Sequence, residues 1–294
     1  MRQYAPPPDV AALCARLREA GFPAYPVGGA VRDLVLGRVP RDWDVATAAR
    51  PEEVTALFPA ARPTGLSHGT VTLATCSREV EVTTFRRDGP YSDGRRPDYV
   101  VFVPDLTTDL ARRDFTCNAM ALDQNGGLID PFGGAADIAR RQLRCVGDPS
   151  VRLQEDVLRM LRAVRFCAQL DFDLGPAEQA VLAAHPQWVR RVSVERLRAE
   201  LEQALLGAAP GRSAAFFRLG FLDHLPVRPC APDLSGLAAL PLHPVPRWAG
   251  LCHILMQCGG LDDPAEFLKC LHMERSVRRL ILAELDVPEN FRKN

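Results

Sequence analysis

No stretch of this 294-residue chain stays apolar long enough to cross a bilayer: the stretch around Trp248 to Met256 falls well short of the roughly 20 residues that a spanning helix needs. The opening residues, Met-Arg-Gln-Tyr-Ala-Pro-Pro-Pro, lack the apolar centre of a secretory signal, so the reading is a cytoplasmic protein with no membrane partner. None of the nine cysteines forms a CxxC pair, and the tightest spacing is Cys252 to Cys258. That excludes a zinc ribbon and a disulfide framework and leaves reduced, mostly buried thiols. Net charge is missing as well, because 36 basic residues balance 36 acidic ones. A neutral chain does not coat nucleic acid indiscriminately, although local basic surfaces remain open to it. What is present, 47% hydrophobic and 24% charged residues, excludes disorder and a collagen, and the length suits about two domains.

Up to about residue 135 helical and strand signals alternate. Asp9 is placed to cap an amphipathic helix through Leu13 and Leu17, Phe22 to Val27 reads as a strand, and Ala30 to Leu36 reads as a helix ended by Gly37. Thr70 to Thr75 and Val80 to Phe85 alternate as strands do, with β-branched residues throughout. The polar, Gly- and Pro-rich run between Phe85 and Tyr99 predicts a long mobile loop. From about Asp137 the strand signal stops, and apolar residues return at helical spacing in Val157, Leu158, Leu161 and Val164, then in Leu197, Leu201 and Leu205. Pro and Gly interrupt this pattern between Pro226 and Pro246, before final helices around Trp248 to Cys258 and Pro264 to Leu285. Between Arg140 and Arg165, seven arginines stand against three acids, Asp148, Glu155 and Asp156, which makes this the candidate phosphate-facing surface.

Four constellations could carry chemistry. Gly28-Gly29-Ala30-Val31-Arg32-Asp33 lies between a strand and a helix, where paired glycines let a ligand approach the backbone and Arg32 favours a phosphate. Ten residues on comes Asp42-Trp43-Asp44. Strand residues two apart point the same way, so Asp42 and Asp44 converge while Trp43 faces the core, and two repelling carboxylates suit a hard cation such as Mg2+. Glu79 and Glu81 share one face of the following strand, and either could supply a third metal ligand, with Glu81 taken as that ligand. Arg112-Arg113-Asp114-Phe115-Thr116-Cys117-Asn118 packs donors with an acceptor in the manner that suits a triphosphate and ribose hydroxyls. Finally, Glu155, Asp156 and Arg159 occupy neighbouring positions of one predicted helical face, with Arg162 and Arg165 on successive turns. An i,i+4 ion pair accounts for such spacing. So does base reading, in which a carboxylate accepts from an exocyclic amine while a guanidinium donates to ring acceptors, a pattern that matches C and A.

In order and together, the segments GGAVRDLVLGRVPRDWDVAT, HGTVTL, EVTTFRRDGPYSDGRRPDYVVFV, DLARRDFTCNAMALD, DPSVRLQEDVLRMLRAVRF and SVERLRAEL resemble the class II tRNA nucleotidyltransferases. These are the CCA-adding enzymes of the polymerase beta superfamily, and the likeness runs over roughly Val27 to Leu206 and more weakly to about Leu285. The resemblance implies an α/β nucleotidyltransferase head with a polymerase-beta-like palm over 1–136, then an all-α neck over 137–207 and a short helical body over 208–294 without a full tail domain. It implies catalytic Asp42 and Asp44, contacts of Arg113 and Asp114 to the incoming ribose, nucleotide selection by Asp156 and Arg159, and a brace for the neck from Glu195. It implies that the tRNA 3′ end, CTP and ATP are the partners, and nothing calls for an obligate protein partner. Relatives that add only CC tend to have the Phe85–Tyr99 loop shortened, so its length implies competence for the terminal A. Cys117 stands where the family often has an aliphatic residue, an apolar-for-apolar change without expected consequence.

The reaction so implied is template-independent addition of CMP and AMP, with two Mg2+ ions held by Asp42 and Asp44 and with Arg32 and Arg113 clamping the triphosphate. Gly28, Gly29, Asn118 and Arg162 complete the expected substrate contacts. Three alternatives stand beside it. Addition of A alone would fit a shortened tail. A poly(A) polymerase would share the architecture, but those relatives usually carry a basic segment after the Asp-x-Asp, and Pro63 to Thr75 contains neither Lys nor Arg. A catalytically inactive tRNA-binding protein would have no physical need to keep two repelling aspartates together.

Overall fold

Strand alternation builds the first part of the chain around a seven-stranded sheet. In the computed structural model, which describes residues 3–92 and 94–285, the strands are β1 (Ala24–Val27), β2 (Trp43–Thr47), β3 (Arg62–Gly65), β4 (Thr70–Ala74), β5 (Glu79–Thr84), β6 (Arg86–Asp88), β7 (Val100–Phe102), β8 (Ala121–Leu122) and β9 (Leu128–Ile129). The sheet order is β3-β4-β5-β2-β1-β8-β9. Helices α1 (Pro8–Glu19), α2 (Gly29–Val35), α3 (Pro51–Leu57), α4 (Leu106–Ala111) and α5 (Gly134–Ala139) complete this part. In β2, Trp43 and Val45 are buried with Val10, Leu13 and Leu17 of α1 and Val54 of α3. Ala46 belongs instead to a second core with Val27, Phe85 and Leu110. The period of two therefore sends Asp44 to the face that carries α4. β5 follows the same rule, burying Val80 and Val82 while Glu79 and Glu81 stay exposed. β2 and β5 run parallel with Asp44 opposite Glu81, which puts that carboxylate on the face of Asp44.

Two expectations need correction. Asp9 does not cap α1. The helix starts at Pro8, whose fixed φ opens a helix without a side-chain cap. The Asp9 carboxylate accepts instead from the hydroxyls of Thr75 and Ser77, each at 2.7 Å, and from Arg78 Nε at 3.1 Å. Those hydroxyl bonds, with the Arg78 charge, hold its pKa at about 2. The run from Phe85 to Tyr99 is not loop throughout: Phe85 is buried, and β6 pairs antiparallel with β7, Arg86 opposite Phe102. The connection is organised by its own polar groups, Tyr91 Oη donating to Asp88 at 2.7 Å and Ser92 Oγ to Asp98 at 2.6 Å. Asp93 lies outside the described residues.

The chain divides into two compact units, Met1–Arg152 and Leu153–Asn294. After α6 (Pro149–Glu155), which crosses that division, the second unit contains α7 (Leu158–Leu170), α8 (Pro176–Ala184), α9 (Val194–Leu205), α10 (Ala215–Arg218), α11 (Pro244–Gln257), α12 (Pro264–Cys270) and α13 (Arg275–Leu285). Leu161 and Val164 of α7 are buried, as are Leu197, Leu201 and Leu205 of α9, as their spacing requires. Arg165 Nε donates to Glu200 at 2.5 Å and so bridges α7 and α9. The segment 264–285 is two helices rather than one, because His272 between them takes a left-handed φ of 51°. Strand structure does not end at Asp137 either. Two-residue strands occur at Gln142–Leu143 and Asp173–Leu174, too short to leave a period in the sequence.

All nine cysteines are free thiols, and Cys14, Cys117, Cys145, Cys167 and Cys252 are buried. Burial pushes Cys14, Cys117, Cys167 and Cys252 up to about 12, which makes them inert packing groups. Among the described residues, no helix is long and apolar enough to cross a membrane.

Candidate active site

The turn after β1 and the start of β2 bring the first two constellations together. Gly28 precedes α2 with φ 76° and ψ −136°, a conformation that only glycine adopts without strain. A Cβ built there would lie 2.9 Å from Arg113 and 3.5 Å from an Asp44 carboxylate oxygen, so Gly28, Asp44 and Arg113 meet at one point. Trp43 is buried as its position between the aspartates requires, Asp44 is half-buried and Asp42 is exposed. The Asp44 carboxyl is held above the usual carboxylate range by burial first, with Arg113 opposing and the charges of Glu81 and Asp42 adding to the rise. A site where three carboxylates repel one another is one that a cation would relieve. Asp42, Asp44 and Glu81 are near enough for their charges to act on one another, although among the described residues no group of three or more His, Cys, Asp and Glu side chains is assembled as a metal cage. Glu79 is occupied otherwise, in an exposed ion pair with Arg62.

Arg113 is held from behind. Its NH2 donates to Asp109 at 3.3 Å, and its Nε is buried without a hydrogen-bond partner, a donor suited to an anion. Arg32, Asn118 and Asp114 form a chain beside it. Arg32 donates to Asp33 at 2.9 Å and to Asn118 Oδ1 at 2.8 Å, and Asn118 Nδ2 donates to Asp114 at 3.1 Å. Asp114 also accepts from the Phe115 backbone N–H at 2.8 Å. Gly29 lies under the Arg32 guanidinium, 3.5 Å from the position a Cβ would take. Asp109, fully buried in α4, is the residue that sequence reasoning passes over. Its one signal is an acid three and four places before Arg112 and Arg113.

In the second unit, Glu155, Asp156 and Arg159 do not share one continuous helix. α6 ends at Glu155, α7 begins at Leu158, and Asp156 lies in the break, where its carboxylate accepts from the Leu158 N–H at 3.1 Å. Aspartate favours such local bonds to its own backbone over a helix interior. Arg159 is buried and donates to Glu155 at 2.7 Å, so the ion pair that its spacing suggests is formed. Burial holds the Asp156 carboxyl above its ordinary range, against the charges of Arg159, Arg196 and Arg162. Arg162 lies over the Phe166 ring at 5.2 Å. Glu195 meets His272 at 2.6 Å, while Arg165–Glu200 joins α7 to α9.

Gly28→Ala follows as a test of the meeting point. Left-handed strain costs about 1–3 kcal/mol, and the new methyl must displace the Arg113 guanidinium. The expected result is a lower melting temperature together with weaker nucleotide binding at a temperature where the variant is fully folded. Native binding in the folded variant would show that Arg113 does not serve the nucleotide.

Residues 24–144 match the model of the poly A polymerase head domain. The CCA-adding enzyme of Geobacillus stearothermophilus is 40% identical over 291 residues, covering 94% of this chain and 70% of that protein. That of Levilactobacillus brevis is 48% identical over 194 residues, 66% of this chain and 49% of that protein. Among solved structures, the CCA-adding enzyme of Bacillus stearothermophilus in complex with CTP superposes with a TM-score of 0.83 at 37% identity, over 96% of this chain and 70% of that one.

Proposed function

Because the chain belongs to the family of CCA-adding enzymes, we propose that it is a template-independent nucleotidyltransferase that adds CMP and AMP to the 3′ end of tRNA and releases pyrophosphate. The observation that supports this reading best is the meeting of Gly28, Asp44 and Arg113, with Asp42 and Glu81 repelling the charge on Asp44. Enzymes of this family generally use divalent metal ions. In this reading the ions are two Mg2+, which Asp42 and Asp44 would hold with Glu81 as a further ligand, and they would supply Lewis-acid neutralisation of charge at the reacting phosphate.

The chain's own residues bind and orient. Arg113, whose buried Nε has no acceptor, meets the triphosphate, and Gly28, lacking a side chain, leaves that guanidinium its place. Arg32 adds positive charge beside it, steadied by Asp33 and Asn118. Asp114, oriented by Asn118 and the Phe115 N–H, accepts from the ribose. Asp156 and Arg159 choose the base: the carboxylate takes the exocyclic amine of C or A and the guanidinium takes a ring acceptor, with Arg162 as a further positive contact.

Three tRNAs test the reading, one ending before CCA, one after the first C and one after the second, each incubated with the chain, Mg2+, CTP and ATP. The expected product is the same CCA terminus from all three. Addition of A to the third without CMP addition to the first two would restrict the reaction to the terminal A, and growth of a long A tail would replace it by polyadenylation.

A further inference from the structure

We infer that Asp109 is a positioning residue for the nucleotide clamp, aiming the Arg113 guanidinium and tying it to the β6–β7 hairpin; this rests on the assignment of Arg113 to the triphosphate. A carboxylate with no exposed surface is costly to bury unless several donors compensate it. Asp109 has three, and its two oxygens divide them. Oδ2 accepts from Arg113 NH2 at 3.3 Å. Oδ1 accepts from Arg112 Nε at 2.9 Å and from the backbone N–H of Arg86 at 3.2 Å. Arg86 is the first residue of β6, so one carboxylate fixes the root of the hairpin and the back of the clamp.

The front of the same clamp faces Asp44, which lies close enough to stabilise the Arg113 charge. Arg113 thus stands between two carboxylates, with Gly28 leaving it room. Were Asp109 to release it, the guanidinium would turn to Asp44, and its donors would go to that carboxylate instead of to an incoming phosphate. Neutralising the arginines is a structural task that any carboxylate at this place performs. Aiming Arg113 requires the carboxylate at this distance, and the two tasks separate in the laboratory.

Asp109→Asn keeps the size of the side chain and an acceptor for Arg86 and Arg112, but opposes Arg113 with an amide donor. Asp109→Glu keeps the charge and moves the carboxylate by one methylene. Both are to be made in the full chain and measured by thermal melting, by equilibrium binding of ATP without tRNA, and by KM and kcat for ATP on tRNA ending in CC. Losing one charge-assisted hydrogen bond predicts a rise in Kd and KM of about tenfold in either variant, with kcat changed less. On an Arg113→Ala background, Asp109→Asn adds no further rise, because the two act as one unit. A folded Asp109→Glu or Asp109→Asn protein with native ATP affinity overturns the inference, and so does an effect that multiplies independently with Arg113→Ala. Native affinity in Arg113→Ala alone instead removes the clamp assignment itself, and the inference with it.

Discussion

Asp44→Asn is expected to leave a folded protein that transfers no measurable nucleotide. The side chain begins inside the sheet, so its place is set by β2, whose neighbours Trp43 and Val45 are buried, and the substitution leaves that packing alone. What it removes is a half-buried charge that Arg113 only partly offsets and that Glu81 and Asp42 repel. A carboxyl whose pKa is raised by folding binds its proton more tightly in the folded state than in the unfolded one. The charged form therefore weakens the fold at pH above the folded pKa, and the penalty fades as pH falls through it. Asn carries no such penalty. The variant melts at or above the wild-type temperature at neutral pH, and the difference shrinks on acidification. Activity moves the other way, because losing a ligand to the cation forfeits several kcal/mol of transition-state stabilisation, roughly a thousandfold or more in rate. Asp42→Asn, at an exposed position, should lose activity to the same degree with little change in melting. Near-native turnover by either variant in Mg2+ would remove both aspartates from the reaction.

Substitution of Asp156 or Arg159 should blur the choice of nucleotide. Each good bidentate contact to a base edge discriminates by about 1–3 kcal/mol, so the ratio of CTP and ATP to UTP and GTP incorporation should fall roughly 10- to 100-fold. Both residues also serve the fold, Asp156 accepting from the Leu158 N–H at the start of α7 and Arg159 pairing with Glu155. Loss of that hydrogen bond costs about 1 kcal/mol of stability, so rates must be compared where the variants are fully folded. If the four nucleotides slow by one common factor, the ion pair and the bond to Leu158 are the whole of these residues' work.

The candidate site is legible in the sequence where chemistry and local period coincide. Asp42-Trp43-Asp44 shows two polar positions around an apolar one, and alternation alone orients all three. The glycines before Arg32 announce a turn, and Gly28 does take a backbone that other residues avoid. Legibility stops where a distant partner decides. Glu155-Asp156-Val157-Leu158 reads as uninterrupted helix, because nothing local shows that Asp156 turns its carboxylate to the Leu158 N–H. Arg86-Arg87-Asp88 has no apolar member and reads as loop, yet it pairs with Val100–Phe102 across the connection. Asp109 looks like a polar surface residue of α4. Its burial depends on Arg86, 23 residues earlier in the chain. Asp9 shows the same limit in reverse: a residue type suited to capping is drawn to Thr75 and Ser77 instead. The roles given to individual residues came from likeness to a family, which period and spacing alone do not supply.

The most direct measurement is single-turnover transfer of labelled AMP to purified tRNA ending in CC, with enzyme in excess over tRNA and Mg2+ varied, wild type beside Asp44→Asn. The account expects one adenylate per tRNA from the wild type, dependent on Mg2+, and none from the variant at any Mg2+ concentration. Equal extension by the two proteins, or continued growth beyond a single A, would contradict it.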